Sequence, residues 1–146
     1  MGIPGYYTQE FRVPGALAGT AGGFLNASAT SYLSFRAGAH HSIRGNTDFT
    51  VELTDANGSK VYFDLDRLGG LTETYAAQVY LRPLIGVPPG GTTDLRKTSF
   101  QTYRIDLSAL RYNSRIFDSS KISSVRLIFD QTQTGRAIFD DLEFAN

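Results

Sequence analysis

Apolar residues recur at every second position over much of this chain. A period of two is the spacing of a strand with one buried and one solvated face. In DFTVELTD, Phe49, Val51 and Leu53 fall on one side, with Thr50, Glu52 and Thr54 on the other. ANGS follows, and its Asn57 and Gly58 tolerate the positive φ of a tight hairpin. KVYFDLD then returns with Val61, Phe63 and Leu65 in phase. The same alternation predicts strands in YYTQEFRV, SYLSFRAG, YAAQVYLRP, SFQTYRIDLS and SSVRLIFDQ. QTQTG turns the chain into its last strand, GRAIFDDLEFAN. There Ile138, Asp140, Leu142 and Phe144 share the mainly apolar side, and Phe139, Asp141 and Glu143 the other. LIGVPPGGTTDLRK reads as a long loop, because Pro88, Pro89, Gly90 and Gly91 break any ladder. A hint of helix occurs only near Leu110.

Many short strands joined by Gly, Pro and Asn turns predict an all-β fold. The expectation is one domain over residues 1–146, a β-sandwich of two antiparallel sheets and about eight strands. Its predicted core holds Phe49, Val51, Phe63, Tyr103, Ile105, Leu127, Phe129, Ile138 and Leu142.

Composition narrows the function. A formal net charge of zero argues against electrostatic capture of nucleic acid or of an anionic membrane surface. No apolar run approaches the length that inserts across a bilayer. GALAGTAGGFLNASA is too glycine-rich for the core of a signal peptide and reads as a loop. The absence of cysteine excludes disulfides, thiolate metal sites and a cysteine nucleophile.

Catalytic motifs are missing, so the chain is read as a non-enzyme. No serine sits in a G-x-S-x-G elbow. His40 and His41 are adjacent, so on a strand they face opposite ways and no third zinc ligand is evident. Asp64 and Asp66 share a strand face, a spacing common on solvated sheets, so a glycosidase pair is disfavoured. Gly22–Gly23 and Gly90–Gly91 lack the Lys-Ser/Thr and the helix of a phosphate cradle.

The predicted outward faces carry Tyr62, Gln78, Tyr80, Arg82, Arg104 and Arg126. Aromatic rings beside planar polar groups suit a sugar, whose C–H face packs on a ring while its hydroxyls need fixed partners. Tyr62, Tyr80, Arg82 and Arg104 are therefore the candidate ligand-binding residues. The chain has no Trp, the largest stacking surface, which favours a soluble glycan over a flat crystalline one.

In order along the chain, YLSFRAG, DFTVELTDANGSKVYFDL, FQTYRIDLSAL and SKISSVRLIFDQTQTGRAIFDDLEF resemble the jelly-roll sandwich of galactose-binding-like domains. That group includes many bacterial carbohydrate-binding modules. The resemblance is best from Phe100 to Phe144, with Ile105–Ser108, Ile122–Val125, Gly135 and the closing Ile138–Phe144 in the family's order. It implies a non-catalytic module for a polysaccharide or oligosaccharide, secreted or extracellular, and part of a larger parent protein or a homo-oligomer. It also implies structural calcium, with Asp140 as a ligand and Glu10 as a co-ligand. A buried carboxylate must be paired, hydrogen-bonded or metal-bound, and hard oxygen suits calcium. Asp140 is equally open to backbone N–H groups or an arginine such as Arg12 or Arg36. The alternative function is a structural or assembly domain, a decoration or filament subunit that docks protein instead of sugar.

Overall fold

Alternation becomes strand wherever a residue can put its odd side chains on a shared core and its even ones outside. A computed structural model describes residues 7–13, 23–41, 47–72, 74–80, 92–108, 110, 117–132 and 135–146, with only the backbone of 76–80 and 92–95. Among these residues there are nine strands: β1 (Tyr7–Arg12), β2 (Tyr32–Ala39), β3 (Thr50–Asp55), β4 (Lys60–Asp64), β5 (Tyr75–Tyr80), β6 (Thr92–Lys97), β7 (Gln101–Asp106), β8 (Ile122–Phe129) and β9 (Ala137–Ala145). They form a four-stranded sheet in the order β1-β8-β3-β4 and a three-stranded sheet in the order β7-β2-β9. All pairings are antiparallel. The all-β, two-sheet expectation therefore holds, with a small β5-β6 sheet added.

The two larger sheets bury one core between them. Val51, Leu53, Val61, Val125 and Leu127 come from the first, and Leu33, Phe35, Ala37, Tyr103 and Ile105 from the second. Aromatic rings bridge the layers. Phe49 lies 5.2 Å from Phe129, 5.2 Å edge-on from Phe139 and 6.2 Å from Phe35, and Phe35 stacks on Tyr103 at 5.5 Å. Each fully buried large side chain contributes about 1.5–3 kcal/mol. The buried Tyr103 hydroxyl is satisfied at both ends. It donates to the Gly70 carbonyl at 2.9 Å and accepts from the Thr72 N–H at 3.1 Å.

The β3–β4 hairpin is where the sequence puts it, but its loop has three residues. Asp55 N–H donates to the Ser59 carbonyl, Gly58 N–H donates to the Asp55 carbonyl, and Gly58 alone takes positive φ, at 80°. That is a turn closed by a left-handed glycine, not a two-residue turn with Asn57 also left-handed. Part of the expected long loop is strand as well. β6 starts at Thr92, directly after the last breaker, Gly91. Helical backbone occurs at Leu107, Ser108 and Leu110, and Leu65–Leu68 forms one 3-10 turn.

The closing strand departs most from expectation. Its register on β2 shifts between Ser34 and Arg36, so that Asp141 and Leu142 together oppose Phe35. Asp141 has φ 52°, a left-handed position that Asp tolerates better than most residues. This bulge reverses the phase. Ala137 and Phe139 point to the core before it, and Leu142 and Phe144 after it. Ile138 is therefore not part of the core cluster, and Phe139 takes its place. Asp140 is exposed, not buried. Its Oδ1 accepts the Asp141 N–H at 3.0 Å, which supports the bulge locally.

Candidate functional site: the outer face of the four-stranded sheet

Of the sequence-predicted ligand residues, the two whose side chains are described, Tyr62 and Arg104, do not share a face. Tyr62 is exposed on β4, on the outer face of the four-stranded sheet. Arg104 is exposed on β7, between the buried Tyr103 and Ile105, and so lies on the outer face of the other sheet. Sheets in a sandwich pack about 10 Å apart, and here the core fills that space. Tyr80 ends β5 in the third sheet with its side chain outside the described residues, and Arg82 lies outside them altogether. The proposed calcium pair separates in the same way. Glu10 stands on the outer face of the four-stranded sheet, opposite Arg126, whereas Asp140 stands on β9 of the other sheet, opposite Arg36. These two carboxylates do not fit one ion. Among the described residues, no group of three or more His, Asp or Glu is arranged to hold a metal. His40 and His41 lie together, ring centroids 4.0 Å apart.

Around Tyr62 the register assembles something the local pattern does not reveal. One cross-strand row runs Glu10, Arg126, Glu52, Tyr62 from β1 to β4, and the next runs Arg12, Ser124, Thr54, Lys60. Opposite charges on neighbouring strands pair across them. Arg12 Nε is 3.1 Å from Glu10 Oε2, and Arg126 reaches Glu10 at 3.8 Å and Glu52 at 3.4 Å. Lys60 Nζ lies 3.2 Å from Glu52 Oε1. Glu52 faces outward yet is only 2% exposed, because the stems of Lys60 and Arg126 cover it. Burial pushes the Glu10 carboxyl up, but Arg12, Ser124 and Arg126 outweigh it and hold the group below its ordinary value.

Glu10 and Arg126 of the first row and all of the second line a groove of about 330 Å³. Arg12, Lys60, Arg126, Ser124 and Thr54 line it, together with Phe24. Phe24 and Tyr62 are among the exposed large side chains of the molecule. The Thr54 hydroxyl is buried with no hydrogen-bond partner among the described residues. At the far wall Asp55 is 1% exposed and fixes the turn. Its Oδ1 accepts the N–H of Asn57 and of Ser59, each at 2.8 Å, and its Oδ2 accepts that of Asp118 at 2.9 Å. This is the buried, backbone-satisfied carboxylate that the sequence reading assigned to Asp140.

The opposite end of the same face is acidic. Thr50 Oγ1 is 3.1 Å from Asp64 Oδ1 and 3.4 Å from Asp130 Oδ1, and it accepts from Gln131 at 3.2 Å. Burial raises the Asp48 carboxyl above its ordinary value, helped by Asp66, Asp64 and Asp130 and opposed by the Phe49 N–H that it accepts.

A second cleft, about 470 Å³, opens between the sheets where β1 and β9 form their free edges, with Tyr7, Phe129 and Phe139 in its wall. Comparison of the chain with protein-family models, curated proteins and solved structures finds no match.

Proposed function

We propose that this chain is a non-catalytic carbohydrate-binding module of the galactose-binding-like jelly-roll kind. It would take an oligosaccharide or polysaccharide on the outer face of its four-stranded sheet. The observation that carries the reading is the exposed ring of Tyr62 at the end of a row of fixed donors and acceptors, Glu10, Arg126 and Glu52, two residues along β4 from Lys60 of the groove lining. The ring supplies a face for sugar C–H groups, and the ion-paired side chains supply hydrogen bonds without having to be ordered on binding. Calorimetry against a panel of oligosaccharides tests it. Tyr62→Ala should weaken binding about tenfold, the equivalent of about 1.4 kcal/mol. Binding that is untouched by Tyr62→Ala places the site elsewhere.

A second reading, an assembly domain docking protein, is favoured by one feature. Among the described residues β1 is an edge strand, and it exposes Tyr7 and Phe11. Of the first predicted loop, GALAGTAGGFLNASA, residues 15–22 lie outside the described residues, and Ala27 is buried in the core. A concentration-dependent solution mass together with no glycan binding supports this reading over the first.

A further inference from the structure

We infer that the ligand of this groove is an uncharged sugar chain, not one bearing uronate or sulfate. The inference rests on the carbohydrate reading above and specifies its substrate class.

Among the described residues, every cation that lines the groove is already ion-paired. Arg12 holds Glu10, Arg126 is shared by Glu10 and Glu52, and Lys60 holds Glu52. Arg12, Lys60 and Arg126 are matched in number by Glu10 and Asp55 in the wall and by Glu52 buried beside it. The described lining therefore offers an anion no net positive charge. Glu52 cannot release its partners cheaply, because a buried carboxylate left unpaired is strongly destabilising. Glu10 is held in its charged form by the groups around it. An anion seeking Arg12 or Arg126 would therefore meet a carboxylate within a few ångströms, and like charges brought together repel.

The hydrogen-bonding pattern points the same way. Arg12 engages Glu10 through Nε, one of its five N–H donors, and the carboxylate of Glu10, with about four lone-pair sites, is shared by Arg12, Ser124 and Arg126. Ser124 lies in the same lining with its side chain hydrogen-bonded to Glu10, and the Thr54 hydroxyl is buried beneath. Donors thus alternate with acceptors over the groove. A carboxylate or sulfate ligand only accepts. A sugar hydroxyl donates and accepts at one atom, and neighbouring hydroxyls match an alternating array.

The test compares ligands that differ in charge alone. Uronate oligosaccharides, oligogalacturonate and oligomannuronate, are titrated beside their carboxyl-reduced counterparts and a panel of other neutral chains. The wild-type protein should bind a neutral chain, with affinity nearly independent of salt. The uronate form should bind about tenfold or more weakly than its reduced partner. Glu10→Gln, which removes one repelling charge, should narrow that gap, and the wild-type comparison stands even where the variant fails to fold. A uronate that binds as tightly as its reduced partner overturns the inference while leaving the carbohydrate reading in place. Failure of every neutral and acidic chain overturns both.

Discussion

At the scale of single residues, two aspartates do different work from neighbours with the same chemistry. Asp55 is the buried acceptor of three backbone N–H groups and ties the β3–β4 turn to Asp118. Without its carboxylate those donors lose their partner, so Asp55→Ala should cost about 2–4 kcal/mol in urea unfolding. A loss within the scatter of surface substitutions would show that water replaces the carboxylate. Asp48 acts in the opposite sense. Its folded carboxyl is raised by burial and by Asp66, Asp64 and Asp130. The folded state therefore takes up this proton before the unfolded chain does. Acidification from neutral pH adds stability through Asp48, and the gain is complete below its ordinary value of 3.8. Asp48→Asn keeps an oxygen for the Phe49 N–H and removes the charge. It should raise the Tm at neutral pH, and its advantage over the wild type should shrink toward about pH 4. Thermal melts across that range check it. A constant or growing advantage on acidification contradicts the assigned cause.

At the scale of elements, β2 shows how closely the layers are laid. Gly38 points away from the core, and a Cβ there would stand 2.6 Å from the Ser99 carbonyl oxygen and 2.9 Å from Thr98 Cγ2. The backbone of residues 98–99 thus crosses the outside of the central strand. Gly38→Ala should cost about 1–3 kcal/mol by denaturant titration, since backbone cannot swing aside as a side chain can. An alanine tolerated freely would mean that this crossing gives way. The elements also show what period-two reading captures. Phe49, Val51, Leu53, Tyr103, Ile105 and Leu127 are all buried as their alternation requires. On β9 the alternation misleads, because one inserted residue at Asp141 flips every side chain before it relative to every one after. The only trace in the sequence is the Asp140–Asp141 pair, which an unbulged strand accommodates as well. The groove was illegible for another reason. Glu52, Arg126 and Glu10 come together through the register of β3, β8 and β1, which are far apart in sequence. Alternation tells which way a side chain points, not what stands opposite it. Glu52 thus read as a solvated residue, and the four chosen ligand residues spread over separate sheets and undescribed segments.

At the scale of the whole molecule, the two large sheets share no hydrogen-bonded edge among the described residues, where they meet through the packing between them. Phe49 sits at the centre of it. It is fully buried just before β3 of one sheet, and it touches Phe35 and Phe139 of the other as well as Phe129 of its own. Side chains of both sheets belong to a single buried cluster, so removing its middle weakens the contacts of both layers together. Phe49→Ala should cost about 3–5 kcal/mol, the transfer term plus the cavity that the surrounding rings cannot close. The more telling readout is where the loss appears. If the sandwich is one cooperative unit, amide exchange in β2 and in β8 should accelerate by the same factor in the variant. Each is an interior strand of its sheet: β2 lies between β7 and β9, and β8 between β1 and β3. Faster exchange confined to β8 and β3, with β2 still protected, would show that the three-stranded sheet stands without its partner and that the aromatic bridge is not what joins the layers.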